Sequence, residues 1–138
     1  MEKLELKEGK TGFVYLAGKV SGLTPEEYHK KFNDCREWLE SILPSYQQVV
    51  CPIDICDDNW DWFTCMEVCM RALKQCDIVF FMSDWNQSKG ASCEKYVAEA
   101  LHIPTVFLRS DDYEHTNGYF VNLNKDLGNT FIKQSQER

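Results

Sequence analysis

Four short apolar runs alternate along this 138-residue chain with three stretches in which apolar residues recur at helical spacing. The run at 13–17 and the clearest one, at 77–82, are continuous, which is typical of strands buried on both faces. The other two runs lie at 46–53 and 103–108. Strands and helices that alternate in this order form a parallel sheet through right-handed crossovers, with helices on both faces. The sequence therefore predicts an α/β fold.

The first of the three predicted helices has clear boundary signals. Thr24 and Glu27 form a capping box, and Pro44 ends the helix. The second helix is predicted to follow from Trp62, and the third to span about 91–102.

Size and charge narrow the classes of protein to which the chain can belong. The chain suits one domain over 1–138, with a core at about 11–108, a C-terminal extension at 109–138 and a possible short strand at 119–121. The net charge of −7 argues against nucleic acid or an anionic membrane as the main partner. The charged N-terminus and the absence of long apolar runs predict a cytoplasmic protein with no membrane partner.

The cysteine count is high, at seven. No pair has CxxC spacing and no nearby histidine completes a zinc set, so the pattern favours buried free thiols over a metal site. We expect neither a metal nor a cofactor.

In open parallel sheets, ligands bind outside the carboxyl ends of the strands, where the strand order reverses. This rule selects three loops as the candidate site: 18–24, 54–61 and 83–90.

Glu94 is the most informative candidate, because it shares a helical stripe with the apolar residues Val97 and Ala98. A carboxylate on a face that packs against the sheet is costly unless it opens into a cleft. The helix dipole is expected to keep it ionised, which suits a nucleophile or a stabiliser of a cation. The alternative is a solvent-exposed glutamate that only favours the helix start.

Two loops carry candidate ligand-binding groups. Ser88 and Gly90 open the third helix, where amides and hydroxyls can cradle an anion, although an ordinary cap is an equal alternative. The loop after the first strand offers oxygen-binding groups for phosphate or ribose, without the P-loop or dinucleotide spacing. These groups are Gly18, Lys19, Ser21 and Gly22.

Carboxylates and aromatic rings cluster near the same sheet edge and could stack on and hydrogen-bond a nucleobase. The pattern favours a site role for Asp84 and Trp85, which follow the strongest strand. It favours solvated positions for Asp57 and Asp58, and a bland alternative places Trp62 and Phe63 in the core. The whole set is Asp57, Asp58, Asp61, Asp84, Trp60, Trp62, Phe63 and Trp85.

Several of these motifs together resemble a known family. They are the segment 15–22 (YLAGKVSG), Cys76-Asp77, and Trp85 followed by Ser88-x-Gly90-Ala91-x-x-Glu94 and Ala98. Over about residues 13–108 the chain resembles the DUF4406 family, which is similar to nucleoside 2-deoxyribosyltransferases and deoxynucleoside 5′-monophosphate N-glycosidases.

The resemblance implies a flavodoxin-like (Rossmann-like) three-layer sandwich with a parallel sheet of four to five strands. It implies cleavage of an N-glycosidic bond in a nucleoside or nucleotide, without a cofactor, by a homodimer or larger homo-oligomer. Glu94 would be the nucleophile, and Ser88 with the amides near Gly90 would hold the 5′ group. Gly18, Ser21 and Gly22 would line the sugar side.

Two departures from the family pattern keep a second hypothesis open. Cys69 stands where relatives often carry an aspartate that contacts the base. The loop before Ser88 is also longer than in the monophosphate N-glycosidases, because it contains the inserted residues 84–87. Asp84 is the candidate for the missing acid. The alternative hypothesis is a non-catalytic module that binds a nucleotide or an ADP-ribose-like signal, and a scaffold for protein partners is a third.

Overall fold

The computed structural model of the chain describes residues 4–6, 11–43, 48–109 and 131–133. Its strands are β1 (Leu4–Leu6), β2 (Phe13–Ala17), β3 (Gln48–Val50), β4 (Ile78–Phe81), β5 (Thr105–Phe107) and β6 (Phe131–Lys133). Its helices are α1 (Pro25–Ile42), α2 (Pro52–Ile55), α3 (Trp62–Leu73) and α4 (Lys89–Ala100), with a 3₁₀ turn at Trp85–Gln87.

The main sheet has four parallel strands in the order β3-β2-β4-β5. Val14 of β2 lies opposite Val49 of β3 on one side and Ile78 of β4 on the other. The chain therefore moves outward from β2 to β3 and then crosses back to β4, so the strand order reverses between β2 and β4. The predicted α/β fold with a parallel sheet is confirmed.

Alternate residues of the central strands face opposite sides of the sheet. Val14 and Leu16 pack in one apolar cluster with Phe32 and Leu39 of α1. Tyr15 faces the other side, in a cluster with residues of α3 and α4. Because the helices cover both faces, the domain is the three-layer, flavodoxin-like sandwich that was expected.

The starts of α1, α3 and α4 are capped by side chains. Thr24 and Glu27 form the predicted capping box at α1. Asp61 caps α3 through the Thr64 amide at 2.7 Å, and Ser88 caps α4. These caps satisfy amides that have no partner within the helix.

The segment after β3 differs from the prediction. The strand predicted over 46–53 extends only over Gln48–Val50 within the described residues, and α2 follows it directly. Pro52 explains the change, because proline cannot donate a ladder hydrogen bond and is suited to the first turn of a helix. Because α2 ends at Ile55, the loop predicted over 54–61 is shorter than expected.

The pairing of β1 with β6 was not predicted. These three-residue strands form an antiparallel ladder that joins the two ends of the described chain, with Glu5 opposite Ile132. The possible strand at 119–121 lies outside the described residues. No helix of the described part is long and apolar enough to cross a membrane.

Asp77, in the motif Cys76-Asp77, lies at the amino end of β4. Its carboxylate accepts hydrogen bonds from the Thr11 amide at 3.0 Å, the Thr11 hydroxyl at 3.0 Å and the Gly12 amide at 2.9 Å. The side chain is buried and ties the start of β2 to the start of β4. It therefore stands at the opposite end of the sheet from the loops selected as the candidate site.

Candidate functional site

A pocket of about 530 Å³ opens at the carboxyl end of the sheet. The loops after β2, β3 and β4 all contribute to its lining, together with the start of α3 and the first turns of α4. These are the three loops that the sequence selected, so the pocket lies where the topological rule predicts a ligand site.

Glu94 lines this pocket from α4, although only 4% of the residue is exposed. The Tyr15 hydroxyl donates a hydrogen bond to its Oε2 atom. Burial raises the pKa of Glu94 from 4.5 to about 7, and the hydrogen bond from Tyr15 acts in the opposite direction. The helix dipole was expected to keep this group ionised, but loss of hydration outweighs it. Near neutral pH, Glu94 is present in both protonation states.

Two side chains that interact with Glu94, those of Tyr15 and Cys69, are neutral. Cys69 interacts through its thiol with the Tyr15 hydroxyl, and its Sγ lies 3.6 Å from Cys56 Sγ. Burial raises the pKa of Cys69 to about 11 and that of Tyr15 well above 10. The sequence did not indicate Tyr15 as a site residue, because a tyrosine within an apolar strand has the pattern of a core residue.

The first turn of α4 forms one side of the pocket. Ser88 is buried and its Oγ accepts a hydrogen bond from the Ala91 amide at 3.1 Å, so the predicted cap is present. Lys89 and Gly90 also line the pocket, and the Lys89 Nζ lies 4.6 Å from the centre of the Trp62 ring. This side combines the positive end of a helix with a lysine, and both favour an anion.

Gly90 also has a packing role. A Cβ at this position would lie 3.0 Å from Met66 Sδ of α3, so glycine permits the close approach of α3 to α4.

The loop after β2 contributes Gly18 and Ser21 to the pocket, but Lys19 and Gly22 do not line it. A Cβ on Gly18 would lie 2.7 Å from the sulfur of the buried Met82, so any larger residue here would force the Met82 side chain to shift. Gly22 has φ +82°, a turn conformation that glycine adopts readily.

Asp84 does not line the pocket. Its carboxylate accepts a hydrogen bond from the Lys19 amide at 3.0 Å and forms an ion pair with Lys31 Nζ at 2.6 Å. Lys31 also donates to the Lys19 carbonyl. Asp84 therefore links the loop after β4 to the loop after β2 and to α1, instead of facing a ligand.

Trp85 also lies outside the pocket. Its ring packs 5.9 Å from the Phe81 ring and 5.2 Å from the Phe107 ring, between centroids. The structure therefore brings neither Asp84 nor Trp85 to the position that their order along the chain suggested.

The segment between α2 and α3 supplies an acidic and aromatic wall. Asp57, Asp58 and Trp60 line the pocket, and the two aspartates are exposed to solvent, as the sequence favoured. Asp58 accepts a hydrogen bond from the Tyr28 hydroxyl at 2.6 Å, and this bond is the main reason why its pKa is lowered. The cluster of acids and rings after the second strand was the signal for this wall.

The start of α3 does not belong to the core. The alternative that placed Trp62 and Phe63 in the core is therefore wrong. Trp62 is 38% exposed and lines the pocket, whereas Phe63 is 76% exposed and faces away from the apolar clusters.

The cysteines form no disulfide, and all seven lie in the described part of the chain. Four of them are buried, and Cys56, Cys65 and Cys93 are partly exposed. Among the described residues, no group of three or more His, Cys, Asp and Glu side chains could hold a metal ion.

The fold and the pocket define a flavodoxin-like α/β protein with a pocket at the point where its strand order reverses. Residues 13–107 match the model of a domain of unknown function, DUF4406, and the chain belongs to that family. Comparison with curated proteins and with solved structures gives no match.

Proposed function

We propose that this protein cleaves the N-glycosidic bond of a nucleoside or nucleoside 5′-monophosphate. The observation that carries the proposal is Glu94, a buried carboxyl group that is oriented by Tyr15 and opens into a pocket at the sheet edge. Cleavage of such a bond passes through an oxocarbenium-like state, which a nearby carboxylate stabilises and can trap as a covalent intermediate. Glu94 is therefore proposed as the nucleophile.

The pocket lining suggests how the substrate lies. The phosphate or 5′-hydroxyl is placed against Ser88 and the amides of Lys89 and Gly90, where α4 attracts an anion. The sugar lies against Gly18 and Ser21, which reach the same pocket. The base then extends toward the acidic and aromatic wall.

The nucleophile must be ionised to attack the anomeric carbon. With the pKa of Glu94 at about 7, the ionised fraction rises steeply between pH 6 and pH 8. The rate of base release is therefore expected to rise across this range.

The wider expectations remain proposals of the same kind. We place the chain with the nucleoside 2-deoxyribosyltransferase superfamily, in the cytoplasm, as a homodimer or larger homo-oligomer.

The test is release of free base from a panel of nucleosides and nucleoside 5′-monophosphates. Glu94→Gln keeps the size of the side chain but removes the nucleophile, and should lower the rate at least about a hundredfold. Glu99→Gln is the matched control, since Glu99 lies on the same helix and pairs with Lys95 at the surface. An unchanged rate in Glu94→Gln, or no base release by the wild type, would contradict the proposal.

The second candidate is a nucleotide-binding module without catalysis. It is favoured by the neutral thiol of Cys69 beside Glu94, because no carboxylic acid stands there to assist the leaving base. In that case nucleotides would raise the melting temperature of both the wild type and Glu94→Gln without base release. A ligand at about a hundred times its Kd adds about 2.7 kcal/mol of stability.

A further inference from the structure

Among the described residues that line the pocket, none beside the candidate nucleophile is a suitable proton donor for the base. Most bases leave a sugar as anions unless an acid protonates them, and a positioned acid contributes about 10²- to 10⁴-fold to such a step. Cys69 shares the Tyr15 hydroxyl with Glu94, but burial raises the pKa of its thiol to about 11. A thiol with this pKa is a poor acid at neutral pH.

The other acidic groups of the described lining do not fill this role. Asp58 is held ionised by the hydrogen bond from Tyr28, whose own pKa is raised to about 12, and by His29, whose Nε2 lies 3.3 Å from Asp58 Oδ2. His29 itself does not line the pocket. The Oδ1 atom of Asp57 accepts a hydrogen bond from the Asn59 backbone amide, at 2.8 Å from the nitrogen. Glu94 is needed as a carboxylate at the sugar. The described lining thus provides negative charge for the base but no proton.

The same wall is suited to a cation. Asp57 and Asp58 bring two carboxylates to the pocket, and Trp60, which is 42% exposed, presents an indole ring beside them. Carboxylates attract a cationic ring by charge, and an indole face attracts it through the ring quadrupole.

The two sides of the pocket have opposite charge. Asp58 is bonded to Tyr28 of α1, which covers one face of the sheet. The start of α4, with Lys89, lies with α3 on the other face. A ligand that spans the sheet edge therefore meets negative charge at one end and an anion-binding helix start at the other.

We propose, building on the glycosidase function above, that the substrate is a nucleotide whose base is cationic at the glycosidic nitrogen, as in a pyridinium ring. Such a base leaves as a neutral molecule and needs no proton. The C1′–N bond breaks and its electron pair passes to the ring nitrogen, while the Glu94 carboxylate forms a bond to C1′. Water then adds at C1′, frees Glu94 and releases one proton to solvent.

The experiment compares nicotinamide mononucleotide with AMP, UMP and their 2′-deoxy counterparts as substrates of the wild-type protein. Each kcat/KM is divided by the uncatalysed rate for the same compound, because pyridinium nucleotides are intrinsically more labile. We expect release of nicotinamide to exceed release of the neutral bases by at least about a hundredfold on this scale. Glu94→Gln should abolish nicotinamide release.

Cys69→Asp tests the cause of this preference. A carboxyl group at position 69 supplies the missing proton donor, so release of adenine or uracil should rise relative to release of nicotinamide by the same variant. Cys69→Asn is the matched control, because it has the same shape without the acid. A melting curve of each variant shows whether it is folded.

The outcomes separate the two proposals. If neutral bases are released as efficiently as nicotinamide, the glycosidase proposal stands and the cationic substrate is wrong. If no compound is cleaved by the wild type, both are wrong. If nicotinamide alone is released and only Cys69→Asp extends activity to neutral bases, both are supported.

Discussion

At the scale of single residues, Glu94 is subject to two opposing effects. Burial favours its protonated form, and the hydrogen bond that Tyr15 donates favours its ionised form. Burial is the larger effect, so the carboxyl titrates near neutral pH. A nucleophile held in this way is costly to ionise but reactive once ionised, which is a common arrangement at active sites.

The raised pKa of Glu94 predicts how stability depends on pH. Between pH 4.5 and about 7 the folded protein binds a proton that the unfolded chain has lost. The contribution is therefore complete below about pH 4.5 and lost above about pH 7, and is on the order of 3 kcal/mol. Relative to Glu94→Gln, the wild type should lose about this much stability between pH 5 and pH 8, measured by urea denaturation. Parallel curves for the two proteins would contradict the assignment.

Tyr15→Phe isolates the hydrogen bond to Glu94. Without the hydroxyl, the interaction that lowers the pKa of Glu94 is lost, so this pKa should rise further. The rising limb of kcat/KM against pH should then move to higher pH. Tyr96→Phe on the surface of α4 should leave the limb unchanged. A limb that moves to lower pH, or does not move, would show that Tyr15 does not govern this titration.

The sequence predicted only part of this residue-level arrangement. Glu94 was found because a carboxylate on an apolar helical stripe is conspicuous. Tyr15 was missed because its partner lies 79 residues away, and an apolar strand gives no sign of such a contact. Asp84 faces Lys31, 53 residues earlier, and not the pocket. The order of residues along the chain places a loop, but long-range contacts decide where its side chains point.

At the scale of secondary structure elements, the pocket depends on how two loops are held together. The loops after β2 and β4 border the point where the strand order reverses. Asp84 joins them, because its carboxylate accepts a hydrogen bond from the Lys19 amide. Lys31 adds α1 to the same link, and both side chains of this ion pair are about three quarters buried. Partial burial reduces the screening that weakens surface ion pairs.

Asp84→Ala should loosen the loop after β2. The Lys19 amide loses its acceptor, so hydrogen exchange in the segment 18–21 should become faster. Because Gly18 and Ser21 line the pocket where we propose that the sugar binds, KM should rise more than kcat falls. Asp34→Ala is the control, since Asp34 pairs with Lys30 on the exposed face of α1. Unchanged exchange at Lys19 would rule out the proposed link.

The elements themselves were largely predictable. Continuous apolar runs mark β2 and β4, and the capping box at Thr24 marks the start of α1. The pairing of β1 with β6 was missed because three-residue segments at distant positions have no local pattern that specifies their partner. The helix α2 was missed because the apolar run through Ile53 was interpreted as one strand, although it contains the proline that starts the helix.

At the scale of the whole molecule, stability and proposed activity lie at opposite ends of one sheet. Asp77 holds the amino ends of β2 and β4, whereas Glu94 lies at their carboxyl ends. Both carboxyl groups are buried, but Asp77 accepts three hydrogen bonds and Glu94 accepts one that is described. The Asp77 carboxylate, with three hydrogen bonds, is suited to a structural role, whereas the Glu94 carboxyl group, with one described hydrogen bond, is suited to catalysis.

Asp77→Asn should therefore destabilise the fold without altering the pocket. An amide at position 77 turns an NH₂ group toward either the Thr11 or the Gly12 donor, so one buried hydrogen bond to a charged acceptor is lost. The expected cost is about 2–3 kcal/mol in the free energy of unfolding, measured by urea denaturation. Well below the melting temperature, KM for the substrate should stay within the error of the wild-type value. A raised KM with unchanged stability would mean that the two ends of the sheet are coupled, and that Asp77 acts on the site through β4.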